Sequence, residues 1–314
     1  MPRVTVTTGA RLHAGFRNLS LSLGRLYGGV GLALAEPRAS VTAEPESGVA
    51  ATGTDGAGDA PNGTPEAVAD YARRTCDLLD LPGARVEVDG ARLHAGFRNL
   101  SLSLGRGGRS GVGVAAFESG GFVADAGHPT ERFTTAPPAD GEWTVPAVLA
   151  RYDLPADWRV CLVLPEADPG RHGEDEDRSI RGVVERADPD LAEELASLLV
   201  DRLLPAAVEG RLDPFAAALA EFGRLNGAWY ADVQGGVYRP PAGRLVEALS
   251  GSPAVDGAGQ SSWGPAVWGL TDAERAADAR AAAGAALDAA DCEGRVVLTR
   301  PRNEGAAVDV ERRS

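Results

Sequence analysis

Read as a pattern of apolar and polar positions, the chain opens on a strand: Val4 to Thr8 (VTVTT) alternates with period two. Leu26–Pro37 (LYGGVGLALAEP) reads as a glycine turn entering an apolar strand, with SVTAEPE from Ser40 as its neighbour. Ser47 to Gly63 is Gly, Ala, Asp and Thr without period, which predicts a solvated surface loop. Thr64-Pro65-Glu66 then opens a helix: Thr caps, Pro suits the first turn, and the acid sits near the positive end of the dipole. That helix should reach Leu79 and stop at Leu81-Pro82-Gly83, with a strand at ARVEV from Ala84. Gly105–His128 reads as a glycine loop followed by strands that turn tightly at Ser119-Gly120-Gly121. Trp158–Pro165 (WRVCLVLP) is a buried strand, with a domain boundary just before it, and the acidic GEDEDRS from Gly173 reads as a mobile loop. Helices are expected over Asp188–Pro205 and Asp213–Trp229, then a glycine turn within Gly257–Leu270. Thr271 should cap an alanine-rich helix running to Ala290, before a late strand at GRVVLTRP from Gly294. The class this pattern predicts is mixed α+β in two halves, residues 1–155 and 156–314.

One segment interrupts the pattern. GARLHAGFRNLSLSLGR occupies Gly9–Arg25 and recurs, letter for letter, at Gly90–Arg106. Repeat architectures use three or more units at a fixed period, because each unit needs neighbours to bury its apolar face. Two undrifted copies in unrelated surroundings instead indicate a recent event or a splice, with one copy native to its place.

Charge changes the picture next. The net charge is −14, with 45 acids against 31 bases, and every base is arginine. At about 1 M salt the Debye length is only about 3 Å, so acid–acid repulsion is screened while carboxylates keep the surface hydrated. A salt-loaded cytoplasm is the expected setting; an acidic protein from a GC-rich genome is the plainer alternative. The same balance argues against nucleic-acid binding, which needs a basic footprint. No apolar run approaches the roughly 20 residues needed to span a bilayer, and the Met1 end shows no apolar leader, so a cytoplasmic location without membrane partners is expected. Cys76, Cys161 and Cys292 are far apart and lack metal-ligand spacing, so they read as free thiols and no metal site is expected.

Three glycine-rich stretches carry the candidate chemistry: GRLYGGVGLAL, GRGGRSGVGVAAFE and GAGQSSWGPAVWGL. In that order they resemble the GHMP kinase superfamily. ARLHAGFRNLSLSLGRLYGGVGLALAEP, GGRSGVGVAAFESGGFVADAGH and GQSSWGP are more closely similar to one branch of it, the β-ribofuranosylaminobenzene 5′-phosphate synthases, in a haloarchaeal form. The resemblance implies a ribosomal-protein-type N-terminal domain and a ferredoxin-like C-terminal domain. It also implies a reaction in which phosphoribosyl pyrophosphate loses pyrophosphate to the ring carbon of a 4-substituted benzoate, and carbon dioxide leaves, on the way to methanopterin-type pterins. Small-molecule substrates follow, with Mg2+ accompanying the pyrophosphate, and a homodimer is allowed. The first copy runs into the family block without a seam. The second stands where the family places a phosphate loop and its helix, so the N-terminal domain is expected to be incomplete, Gly90–Arg106 to pack differently from Gly9–Arg25, and activity to be weak.

Residue types sharpen these expectations. Glycine loops bind phosphate because backbone N–H groups reach the anion without a Cβ in the way. Gly107, Gly108, Ser110, Gly111 and Gly113 fit that need, and Arg109 adds a planar fork; a tight turn between strands would need the same glycines. Arg25 is the catalytic candidate, a guanidinium aimed at the charge that builds on departing pyrophosphate. Asn18 falls where the family carries an acid and Tyr27 where an acid commonly precedes the paired Gly28 and Gly29, so acid–base chemistry is weakened there. Arg11 and His13 suit the benzoate carboxylate, though a histidine after a strand is as often structural. Gln260, Ser261 and Ser262 offer donors beside the aromatic plate of Trp263, which core packing explains nearly as well. His94, Arg92 and Arg106 repeat these in a foreign context, and His128 reads as a turn residue. Two other functions compete. An ATP-binding kinase would carry a catalytic acid after Ser110-Gly111, where Val112 and Gly113 stand; an inactive paralogue would lack the phosphate loop.

Overall fold

A computed structural model describes residues 2–53, 65–78, 80–90, 111–131, 144–168 and 173–312. The first copy of the repeat is the stem of a long hairpin. Strand β1 (Pro2–Asn18) pairs antiparallel with β2 (Arg25–Pro45). The turn between them is a short 3-10 segment, Leu21–Leu23, where the Ser20 hydroxyl accepts from the Ser22 N–H and Gly24 takes the left-handed conformation (φ 74°). Gly28 and Gly29 therefore lie inside β2 rather than in a turn, and SVTAEPE is the far end of β2 rather than a separate neighbour. The hairpin is close-packed: a Cβ on Gly9 would stand 1.9 Å from the Leu34 carbonyl oxygen, so glycine is required there.

Around this hairpin lies an eight-stranded sheet in the order β12 (Ala307–Arg312), β1, β2, β4 (Gly83–Gly90), β3 (Gly48–Gly53), with β5 (Phe122–Asp125) and β6 (His128–Pro129) paired to the first part of β2 and β7 (Val148–Tyr152) paired to β5. Strand β3 (Gly48–Gly53) begins the stretch expected to be a loop and runs parallel to β4 (Gly83–Gly90). Helix α1 (Pro65–Leu78) joins them, and its Val68 and Ala72 cover Val86 and Val88. Where strands were expected after Gly111, the chain forms helix α2 (Val112–Glu118) before β5 (Phe122–Asp125), β6 (His128–Pro129) and β7 (Val148–Tyr152). A short apolar run is ambiguous between helix and strand by period alone. Packing of Val112 and Ala115 on Val123 decides it.

The second sheet is antiparallel, in the order β11-β8-β10-β9. It comprises β8 (Trp158–Pro165), β9 (Gly257–Gln260), β10 (Val267–Asp272) and β11 (Gly294–Thr299). The acidic segment expected to be mobile is helix α3 (Gly173–Val184), which buries Ile180 and Val183. Helix α4 (Pro189–Ser197) passes through a π-wound turn (Leu198–Leu203) into α5 (Leu204–Glu209), and α6 (Leu212–Trp229) packs beneath both sheets. Short α7 (Ala231–Gln234), α8 (Ala242–Ser250) and α9 (Ala276–Ala289) complete the layer. Thr271 lies buried in β10 and does not cap α9; the turn before that helix is held by the Asp272 carboxylate, which accepts the Arg275 N–H at 2.9 Å.

The last strand, β12 (Ala307–Arg312), crosses the expected boundary and pairs with β1 in the first sheet. One apolar core likewise runs through both halves, joining Leu12, Leu26 and Leu32 to Leu195, Phe222 and Trp268. Among the described residues no helix is long and apolar enough to cross a membrane.

Candidate functional site

The first two glycine stretches meet at a residue outside both. Asp125 ends β5 with no solvent exposure. Its Oδ2 accepts the Gly111 N–H at 2.7 Å and its Oδ1 the Gly127 N–H at 2.8 Å, and the backbone N–H groups of Gly29 and Val112 also reach it. Three of those four donors belong to glycines, whose missing Cβ lets the backbone close on the carboxylate. Burial pushes the Asp125 carboxyl up from the usual range, and the ring of N–H donors pulls it back.

This knot bears on two residues of the expected phosphate loop. The Gly111 N–H is spent on Asp125, so an anion of the protein itself already fills that position, and Gly113 is buried inside α2. Gly107, Gly108, Arg109 and Ser110 lie outside the described residues, as does Ala91–Arg106 of the second copy.

Arg25 stands at the mouth of the hairpin beside the knot. Its Nε donates to the Ala126 carbonyl at 2.7 Å and an Nη to the Gly127 carbonyl at 3.0 Å, which fixes the guanidinium plane and leaves it half-exposed. Asn18, expected to be catalytic, clasps the turn. Its amide nitrogen donates to the Arg25 carbonyl, its oxygen accepts the Ser20 N–H at 2.7 Å, and the side chain is buried. Tyr27 holds a left-handed backbone (φ 68°) and turns its ring onto Phe16, with centroids 5.3 Å apart. Phe16 meets the His13 ring edge-on at 5.1 Å.

The third glycine stretch closes on the same strand from the other half of the chain. The Ser261 hydroxyl accepts the His13 N–H at 3.2 Å, and the Ser262 N–H donates to the His13 carbonyl at 2.9 Å. These serines join the two sheets through the backbone on either side of a buried imidazole. Gln260, expected to be a substrate donor, braces the loop that follows. Its Oε1 accepts the Arg239 N–H at 2.8 Å, and its Nε2 donates to the Ser262 carbonyl at 2.8 Å. The Trp263 indole N–H reaches Glu176 of α3 at 3.2 Å, and its ring packs edge-on against Tyr230 at 4.7 Å. Arg11 is two residues before His13 on β1, opposite Ala33. His128, expected in a turn, is a buried strand residue paired with Leu26.

The fold thus places Arg25, Gly28 and Gly29 at the start of β2, ties Ser261 and Ser262 to His13, sets Arg11 farther along β1 opposite Ala33, and holds Trp263 between Glu176 and Tyr230. It adds Asp125, Arg17, Glu176 and Asn226, which sequence reasoning passed over. Asn226 of α6 donates to the Phe16 carbonyl at 2.5 Å, and its amide fills the space where Gly15 has no Cβ. Asp125 carried a signal in the sequence, an acid closing the apolar run FVAD two residues before a glycine. Glu176 carried none, being one acid in an acidic stretch. No cluster of three or more His, Cys, Asp or Glu side chains forms among the described residues. Asp125 is committed to N–H donors and Glu176 to Trp263, so the described residues do not fit a protein-held magnesium ion.

A hairpin-centred sheet, a second antiparallel sheet and a site where three glycine stretches converge define the fold of the GHMP kinase superfamily. Solved structures agree at chain length. Mevalonate diphosphate decarboxylase from Staphylococcus aureus superposes with TM-score 0.63 at 11% identity, covering 98% of both chains. Mevalonate-3-kinase from Thermoplasma acidophilum gives 0.59 at 11%, again over 98% of both chains. Homoserine kinase from Cytophaga hutchinsonii gives 0.54 at 16%, covering 98% of this chain and 97% of that one. No family model matches the sequence. Curated relatives do: β-ribofuranosylphenol 5′-phosphate synthase of Methanothermobacter thermautotrophicus is 30% identical over 329 residues, covering 96% of this chain and 97% of the relative. The synthase of Archaeoglobus fulgidus is 29% identical over 321 residues, covering 96% and 98%. The chain belongs to the β-ribofuranosylphenol 5′-phosphate synthase family. Those names carry a phenol where the resemblance read from the sequence carries an aminobenzene, a difference in the ring substituent.

Proposed function

We propose that this protein joins phosphoribosyl pyrophosphate to a 4-substituted benzoate and releases pyrophosphate and carbon dioxide. The relationship to the Methanothermobacter synthase, 30% identity across nearly the whole of both chains, carries this reading. In the reaction the bond from the anomeric carbon to pyrophosphate breaks, and pyrophosphate leaves with the electron pair. The ring carbon bearing the carboxylate bonds to the anomeric carbon. Loss of carbon dioxide then returns an electron pair to the ring. Each step needs something from the protein: a fixed cation for the departing oxyanion, a seat for the carboxylate, and a dry wall against the ring.

Arg25 supplies the first. Its guanidinium is already oriented by two backbone carbonyls, so little reorganisation opposes stabilisation of the leaving group. Arg11 and His13 supply the second, and Trp263, braced by Glu176 and Tyr230, supplies the third. The Mg2+ expected of such a reaction arrives with the pyrophosphate, and the setting is the cytoplasm. Release of labelled carbon dioxide from carboxyl-labelled 4-hydroxybenzoate and 4-aminobenzoate, dependent on phosphoribosyl pyrophosphate, tests the reading and names the acceptor. Release from neither overturns it. Arg25→Ala should lower kcat by about 100-fold or more, with a much smaller change in KM. An unchanged kcat removes Arg25 from the chemistry.

One observation favours a second reading, a paralogue that binds without turnover: the Asn18 amide bonds to the turn at both its nitrogen and its oxygen, where the family is expected to carry an acid. Calorimetric binding of phosphoribosyl pyrophosphate with no carbon dioxide release would support it. Nucleotide binding with phosphoryl transfer would instead favour the kinase alternative.

A further inference from the structure

Arg17 sits one residue before the hairpin turn and was not part of the expected site. It is half-buried, and its Nε is shielded from solvent with no hydrogen-bond partner. Among the described residues it makes no hydrogen bond or ion pair. Its side chain lies flat over Gly28, where a Cβ would stand 2.8 Å from the guanidinium Nε. Gly28 is itself left-handed (φ 82°), so a larger residue is excluded on both counts. The arginine therefore rests on a surface shaped to receive it.

Its electrostatic surroundings are unfavourable. Burial lowers its proton affinity most, the neighbouring Arg25 lowers it further, and Asp125 offsets only part of this. Asp125 cannot neutralise it by contact, since that carboxylate is turned to the N–H groups of Gly29, Gly111, Val112 and Gly127. Two guanidiniums thus share one corner of the hairpin, each half-exposed, with no carboxylate bound to either among the described residues. A buried cation without a partner costs free energy that an empty site does not return. An anion bridging the two forks would return it. A planar guanidinium binds phosphate oxygens in pairs, and two of them suit a group with several oxygens and more than one negative charge.

We infer that Arg17 and Arg25 form a two-arginine seat for a diphosphate, with Arg17 the binding cation and Arg25 also the one that meets the developing charge. This rests on the proposed function for the identity of the diphosphate, the pyrophosphate part of phosphoribosyl pyrophosphate. The geometry assigns Arg17 to ground-state binding, because no backbone carbonyl fixes its plane as Ala126 and Gly127 fix that of Arg25.

The experiment measures calorimetric binding of inorganic pyrophosphate, orthophosphate and phosphoribosyl pyrophosphate to the full chain at one fixed salt concentration. The wild type is compared with Arg17→Gln, Arg17→Lys and, as a control for lost charge, Arg202→Gln on the exposed Glu221 pair. Arg17→Gln should weaken pyrophosphate at least tenfold and orthophosphate less. Arg17→Lys should recover part of the loss, and Arg202→Gln should change nothing. The Arg17→Gln thermal midpoint in the absence of ligand should be equal or higher, because an unpaired cation has been removed. Equal pyrophosphate affinity in wild type and Arg17→Gln overturns the inference and leaves the proposed function standing. A lowered midpoint with unchanged affinity overturns it as well, marking Arg17 as structural. Failure of the wild type to bind phosphoribosyl pyrophosphate at all overturns the proposed function and this inference with it, whereas binding that depends on Arg17 supports both.

Discussion

Asp125 in the first sheet and Asp256 at the rim of the second are both acids with arginine in reach, yet they are stabilised by different means. Asp125 has no exposure and is held by backbone N–H groups, leaving the arginines beside it unpaired by any carboxylate among the described residues. Asp256 is paired directly: Arg275 donates to it at 2.8 and 2.6 Å and to Asp272 at 2.9 Å, with the guanidinium about a third exposed. Behind Asp256 the core of the second sheet, including Val163, Leu245, Leu249, Val267 and Ala283, contains no charged side chain. The first sheet buries a carboxyl group and keeps nearby positive charge unspent; the second puts its ion pairs at the edge and, among the described residues, buries apolar groups with neutral polar ones such as Thr271, Thr299 and Gln260. A region that serves only stability has no reason to keep a half-buried cation unpaired. The proposed diphosphate seat rests on this contrast.

The sharpest way to break the comparison is Asp125→Ala. It strands four buried N–H donors, and charge-assisted hydrogen bonds are strong enough that a loss of about 3 kcal/mol or more is expected in chemical unfolding. A loss under about 1 kcal/mol would mean that the knot is not holding the glycine stretches. Its pH dependence adds a sign. Burial leaves the folded carboxyl above its unfolded value, so the folded state holds the proton longer and this group's contribution falls as pH rises through the carboxylate range. Measured against Asp125→Asn, wild-type stability should decline across that window; an opposite slope would show the N–H ring outweighing burial.

Leu249→Ala empties a fully buried position in the second core and should cost about 2–5 kcal/mol. Turnover per folded molecule should not change, and a fall in kcat would move part of the chemistry into the second sheet. Salt should act on the whole surface. With −14 net charge, thermal midpoints in 2 M potassium chloride should exceed those in 0.1 M by several degrees, and equal midpoints would refute adaptation to a salt-loaded cytoplasm. The smallest effect belongs to Arg275→Ala. Its bidentate pair with Asp256 lies at the rim, with the guanidinium about a third exposed, so a change of about 1 kcal/mol is expected, shrinking as salt rises.

Much of this was readable in advance where one local signal dominated. The helix at Pro65, the strand at Trp158 and the helix ending at Trp229 follow from a cap, an unbroken apolar run and a 3.6-residue period. The errors share one cause. Val112–Glu118 and Gly173–Val184 have patterns that local preference leaves open, and contacts with β5 and with the central core made them helices. Strand β12 was missed because an exposed run of Ala, Val, Asp and Glu has no partner visible in sequence.

The site divides the same way. Family membership, the class of reaction proposed and the three glycine stretches were legible in the amino-acid sequence, since glycine spacing and arginine-only cationic chemistry are written residue by residue. Which backbone N–H groups were already occupied was not. Gly111 looked free to bind phosphate until Asp125, fourteen residues on, took its N–H. Asn18 and Gln260 looked like substrate ligands until the turn and the Arg239 backbone consumed their amides. Arg17 was one arginine among 31 until folding laid it on Gly28, beside Arg25 and, among the described residues, bonded to no carboxylate. The sequence by itself determined which hydrogen-bonding groups this protein owns. Only the tertiary structure decided which of them are satisfied, because satisfaction depends on distances between residues that the chain order keeps apart.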